Sequence, residues 1–177
     1  MLRLWVMSTL LDKLRGGDRR SIGRSDEVAG DIENNPALFE EVFSGLTDTD
    51  PVVRMRAADV IEKVTTRRPE LLNDHKKEVI SILETADQQE VCWHMAQMAP
   101  RLQYSKDEKK RVVSALKNNL SHKSKIAQTF AMQALADLSE DDEELQNEVI
   151  VIIRNKQKTG SPALRSRARM LLEKIDK

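Results

Sequence analysis

The sequence predicts an all-α fold: a superhelix of about five antiparallel helix pairs, repeating about every 37 residues. Three observations carry this. Apolar residues recur at spacings of three and four, and alternation with period two is nearly absent. Glycine and proline are scarce, six and five in 177 residues, and most sit at segment edges. The apolar pattern is itself periodic. The second helix of each pair places apolar or small residues at i, i+3, i+4 and i+7, anchored at Ala57, Met95, Ala131 and Ala168, which are 38, 36 and 37 residues apart.

Start signals punctuate the chain into ten helices, at about 3–15, 19–34, 36–46, 51–67, 73–86, 89–103, 106–119, 122–138, 141–157 and 162–176. Asn35-Pro36, Asp50-Pro51 and Ser161-Pro162 each put an N-cap residue before a proline at the first helical position. Ser105 and Glu108 are spaced as a capping box. The run from Ser139 to Glu144 loads acid into a helix start, where it complements the positive end of the dipole. Short connections predict antiparallel neighbours.

The register assigns a core. Second helices contribute Ala57/Val60/Ile61/Val64, Met95/Met98/Ala99/Leu102, Ala131/Ala134/Leu135/Leu138 and Ala168/Leu171/Leu172/Ile175, with a weaker copy at Ser25/Val28/Ala29/Ile32. First helices contribute Phe39/Val42/Phe43, Val79/Ile82/Leu83, Val112/Ala115/Leu116 and Val149/Ile152/Ile153. A helix pair cannot bury such faces alone, and stacking the pairs makes one continuous core. The chain therefore reads as a single domain over 1–177, with 1–34 as an irregular N-terminal capping repeat.

One local match is sharper than the periodicity. Pro51-Val-Val-Arg-Met-Arg-Ala57 recurs as Pro162-Ala-Leu-Arg-Ser-Arg-Ala168, three periods later. With the turn Asp48-Thr-Asp-Pro-Val-Val-Arg54, this resembles the HEAT-repeat family of armadillo-like superhelices. The match is partial at Leu164-Arg165 and poor at 88–92 and 121–126. The tetratricopeptide pattern of similar period is not visible. The resemblance implies that second helices line a concave face, and that Arg54 and Arg165 brace their turn on an Asp of the neighbouring one.

Composition excludes several classes. Lysine plus arginine and aspartate plus glutamate both number 29, so bulk charge gives no nucleic-acid or acidic-membrane signature. Aromatics at 3% argue against a β-sandwich and against base stacking. Cys92 is the single cysteine, so there is neither an intrachain disulfide nor a multi-cysteine zinc site. No run is long and apolar enough for a membrane span or a signal peptide. The expected location is the cytoplasm. Met7 would serve equally well as a start, which makes residues 1–6 readable as an upstream extension.

The constellations that catch the eye reduce to packing. Adjacent helix residues point about 100° apart, so Cys92, Trp93 and His94 cannot converge on one ligand. Cys92 reads as buried, Trp93 as partly buried and His94 as surface. Met95 and Met98 fall on the core register, whereas Met132 and Met170 fall off it, and the pattern leaves their burial open. The glycines read as helix ends and turns. No catalytic residue, cofactor site or metal ligand is legible.

The arginines are the candidate binding residues: Arg54, Arg56, Arg165, Arg167 and Arg169, near the starts of two second helices. Beyond the expected Arg54 and Arg165 braces, they read as solvated charge. Arg56 and Arg167 lie off the core register and are expected to line a groove that steers an acidic partner. Charge is uneven along the chain, net −4 over residues 1–50 and +4 over 101–140. The leading functional expectation is a non-enzymatic scaffold that binds a protein or peptide on the concave face. Nucleic acid is a less favoured partner, by resemblance to the HEAT-like DNA glycosylases of alkylation repair. A third reading is a helper subunit, as in the HEAT-like lyases that attach bilins.

Overall fold

The computed structural model describes residues 9–18 and 20–175. The expectation for residues 1–6 lies outside them. Ten α-helices follow one another, and no strand occurs among the described residues. The chain divides into two compact units, Met1–Leu71 and Leu72–Lys177.

The first unit holds α1 (Leu10–Leu14), α2 (Ser25–Asn34), α3 (Phe39–Ser44) and α4 (Pro51–Arg67). Thr9 and Asp12 close a capping box on α1, and Asp50 accepts the Val52 N–H at the start of α4. α1, α2 and α3 all pack on α4. Ala57, Val60, Ile61 and Val64 are completely buried, as are Val28, Ile32 and Val42 on the facing helices.

The helix expected over 19–34 begins only at Ser25. The preceding segment is a loop in which Gly16, Gly17 and Gly23 take φ of 71°, 75° and 56°. That left-handed backbone is accessible to glycine at little cost, and it ends the helical continuity the spacing suggested.

The second unit holds α5 (Lys76–Thr85), α6 (Gln89–Met98), α7 (Lys106–Asn119), α8 (Lys125–Leu138), α9 (Glu143–Thr159) and α10 (Pro162–Ile175). The pairs α5/α6, α7/α8 and α9/α10 form hairpins. α6, α8 and α10 pack side by side as a layer of second helices, and α5 packs on α7 in the layer of first helices. The expected capping box of Ser105 with Glu108 is present. In the acidic run it is Asp142 that caps α9, accepting the Leu145 N–H at 3.1 Å.

The turns of this unit line up along one edge. His122 Nε2 lies 3.1 Å from the Asp87 carbonyl, joining the α7–α8 turn to the α5–α6 turn. Lys156 Nζ donates to the Leu120 carbonyl at 2.9 Å, joining the end of α9 to the α7–α8 turn. The register residues Met95, Met98, Ala131, Leu135, Val149 and Ala168 are completely buried. Leu138, Ile152, Leu172 and Ile175 are only half-buried.

Candidate functional site

Three second helices, α4, α6 and α8, start with a side chain that ties the helix to its own turn. Arg54 Nη1 donates to the Asp48 carbonyl at 2.7 Å, and to that of Thr49. At the equivalent place in the next pair, the Cys92 thiol donates to the Ala86 carbonyl at 3.3 Å. One pair further on, Gln128 Nε2 donates to the His122 carbonyl at 2.6 Å. In all three the acceptor lies six residues upstream. The side chain reaches back over the first turn and satisfies a carbonyl that the turn leaves unpaired. The brace expected of Arg54 is onto a neighbouring Asp; its Asp48 and Thr49 acceptors are main-chain carbonyls of its own turn. The Asp48 carboxylate takes Arg15 at 2.8 Å and the Asp50 N–H. Arg165, the fourth member of the set, is exposed, and its side chain makes no hydrogen bond or ion pair among the described residues.

Arg56 corrects the sequence reading most sharply. It is 3% exposed, not a solvated groove residue. Its guanidinium enters the glycine-bearing loop and donates to the carbonyls of Leu14, Gly16, Asp18 and Ser21, at 2.8, 2.7, 3.1 and 3.0 Å. A Cβ at Gly23 would stand 2.7 Å from Arg56 Cζ, so the loop is moulded on this side chain. Arg167 holds the same place in the recurring motif. It meets a helix, not a loop: Nη1 donates to Gln133 Oε1 of α8 at 2.8 Å, and the side chain stays half-exposed.

The position after each register anchor shows how the layer is stacked. Ala58, Ala96 and Met132 are completely buried, whereas Arg169 is exposed. α6 has α8 beside it and α8 has α10. Among the described residues no second helix lies beyond α10, so its flank stays wet. Burial of Met132 and exposure of Met170, at 59%, settle what the pattern left open.

Opposite the core, the second helices of this unit present one continuous face. Glu90, Trp93, His94 and Gln97 on α6 follow helical spacing, as do Ile126, Phe130 and Gln133 on α8, and Ser166, Arg167 and Met170 on α10. Ile126 and Met170 are 50% and 59% exposed, and Trp93 and Phe130 are half-buried. Sequence reading placed Trp93 in packing and passed over Ile126 and Phe130. The signal was weak: each lies off the core register, but Trp93, Ile126, Phe130 and Met170 fall at different places in their repeats, so no periodicity marks them.

Charge organises the remainder. Lysines and arginines reach acids about one repeat away: Lys63 to Asp26 at 2.6 Å, Lys76 to Glu108 at 2.9 Å, Lys109 to Asp142 at 2.8 Å and Lys117 to Glu148 at 2.6 Å. The last two bridge an open groove of about 360 Å³ between α7 and α9, floored by Val113 and Leu145.

Chemically reactive groups are muted. Burial pushes the Cys92 thiol up to about 11, so little thiolate exists near neutrality. Tyr104 is also raised by burial, and its hydroxyl donates to the Ala99 carbonyl at 2.8 Å. Among the described residues no three or more His, Cys, Asp or Glu side chains gather as a metal site. None of the described helices is long and apolar enough to cross a membrane.

Paired helices at a 37-residue period, two-layer stacking and the turn braces define a helical-repeat protein. The family model described as a HEAT repeat domain matches residues 13–175. The chain belongs to the HEAT-repeat family. No curated protein and no solved structure matches it.

Proposed function

We propose that the protein is a non-enzymatic interaction scaffold whose partner, a protein or peptide, lies across the exposed face of α6, α8 and α10. In HEAT arrays the second helices line the concave side, so this is the inner face of the expected superhelix. The observation that carries the reading is the apolar and aromatic content of that face. Trp93, Phe130, Ile126 and Met170 stand among Gln97, Gln133 and Arg167, on a surface otherwise dominated by charge. Aromatic, methionine and arginine side chains are the types enriched where binding energy concentrates, and the surrounding amides supply orientation. Arg167, half-exposed and oriented by Gln133, offers a charged contact for a carboxylate on the partner.

The test is affinity capture from source cells with the native protein and with the Ile126→Glu/Met170→Glu double variant. Both side chains are largely exposed, so helicity and melting temperature should be unchanged. The partner should be lost or weakened at least about tenfold, consistent with the cost of removing interface anchors. A variant that captures the same partner equally well shows that the face is not the site.

A further inference from the structure

Several cations on the helix faces of the second unit are committed to a partner about one repeat away. Five that are not gather at one edge. Lys123 and Lys125 lie at the α7–α8 turn, and Arg154, Lys158 and Arg165 flank the α9–α10 turn. All five are exposed, and none of their side chains has a hydrogen bond or ion pair among the described residues. The two turns are brought together by the bond from Lys156 to the Leu120 carbonyl. The sequence keeps acid away from both: there is no Asp or Glu from Lys109 to Ala136, nor from Val149 to Leu172. The patch ends at the α5–α6 turn, where Glu84, Asp87 and Glu90 restore negative charge.

We propose that this edge binds the phosphate backbone of double-stranded DNA, independently of the apolar face described above. The chemistry of the edge selects the partner. Exposed Ile126 and Val151 stand beside Lys125 and Arg154, but the centre of a protein interface is depleted in charge, and five unpaired cations here favour a polyanion. Single-stranded nucleic acid is held by stacking on aromatic side chains; no Phe, Tyr or Trp lies at either turn, and the His122 ring is engaged by the Asp87 carbonyl. Backbone phosphates need only cations. The cations stand in two rows one repeat apart, roughly 8–10 Å for packed helices. That separation suits the two phosphate rows flanking the narrow minor groove of B-form DNA better than the wide minor groove of an A-form RNA duplex. The contact carries no base readout, so binding is independent of sequence.

Fluorescence anisotropy with a labelled 20-base-pair DNA duplex of arbitrary sequence, titrated between 50 and 200 mM salt, tests this. Five phosphate contacts predict a log–log salt slope of about −4 to −5. Lys158→Gln/Arg165→Gln should weaken binding at least about tenfold at 50 mM salt and make the slope shallower by about two, as should Lys123→Gln/Lys125→Gln. Lys110→Gln, an exposed lysine on the opposite edge, should change neither. Melting curves confirm that each variant is folded, and the uncharged Ile126→Gln/Met170→Gln should leave duplex binding intact even where it abolishes capture of a protein partner. No binding of duplex DNA at 50 mM salt overturns the proposal. So does equal weakening by Lys110→Gln, tighter binding of single-stranded DNA or duplex RNA of the same length, or binding confined to vesicles containing phosphatidylserine.

Discussion

Arg56 donates to four main-chain carbonyls in a loop that has few other ties to the rest of its unit. Arg56→Met fills similar volume but leaves those carbonyls facing an apolar side chain. The expected cost is about 2–4 kcal/mol, the penalty for several under-satisfied polar groups together with a lost buried cation. Arg167→Met, at the equivalent motif position, gives up one hydrogen bond to Gln133 in a half-exposed setting and should cost no more than about 1 kcal/mol. Denaturant unfolding of the two variants measures the contrast, and limited proteolysis should cut the Arg56 variant first within residues 15–24. Equal costs would mean that the loop is held by something other than Arg56. Cys92 shows the same dependence on context: a thiol with the look of a reactive group is a buried hydrogen-bond donor to its own turn.

At the scale of the helix, small residues mark where elements approach closely. Ala57 on α4 is completely buried, and the end of α3 comes so near that a Cβ on Gly45 would stand 3.0 Å from the Ala57 Cβ. Ala57→Leu should therefore overpack the α3–α4 contact and cost about 1–3 kcal/mol, read as a lower denaturation midpoint at unchanged slope. A variant of native stability would show the site to be open. The motif shared by α4 and α10 extends into their ionic ties. Lys63 reaches Asp26 at 2.6 Å, and three periods later Lys174 reaches Asp137 at 3.9 Å. Related local sequence thus places equivalent cations one repeat from equivalent acids, although Lys174 binds Glu140 more closely, at 2.5 Å.

At the scale of the molecule, these ties set the response to acid. Arg24 and Lys13 hold Glu27 down to about 2. Asp48 is lowered chiefly by the Asp50 N–H, Glu84 by Arg111, Glu108 by Lys76 and Asp142 by Lys109. Each of these carboxylates is a stronger acid folded than unfolded. The stability it contributes is therefore complete above the ordinary carboxylate range, about pH 4–4.5, and is lost as pH falls through the folded values toward about 2. Asp137 acts in the opposite sense: burial raises it, so its protonation relieves a cost. The depressed group is the larger, and the melting temperature should fall steadily from pH 4.5 to pH 2.5, with little change between pH 5 and pH 7. Because the pairs are exposed, 1 M salt should shrink the difference. A melting temperature flat down to pH 2.5 would mean that these pairs contribute nothing to folding.

The sequence by itself determined the helices, their pairing and the register of the core. These depend on periodic burial, and periodicity is a property of the chain: Ala57, Met95, Ala131 and Ala168 all lie where the spacing puts them. It also carried the family resemblance, through Asp48 to Arg54 and the copy of Pro51–Ala57 at Pro162–Ala168. What it did not determine is the fate of a polar side chain just off the register. Arg56 and Arg167 read alike because their neighbours in sequence are alike. Their surroundings differ: a loop of left-handed glycines offers one four carbonyls, whereas a helix with its carbonyls already paired offers the other a single glutamine. Ala58, Ala96, Met132 and Arg169 likewise share a register position, and burial there in the second unit follows from whether another helix stands alongside. Only the tertiary structure decided which cations are spent on ties between repeats and which remain at the α7–α8 and α9–α10 turns. An ion pair about one repeat long depends on how neighbouring helices lie together, and no local spacing in the sequence encodes that.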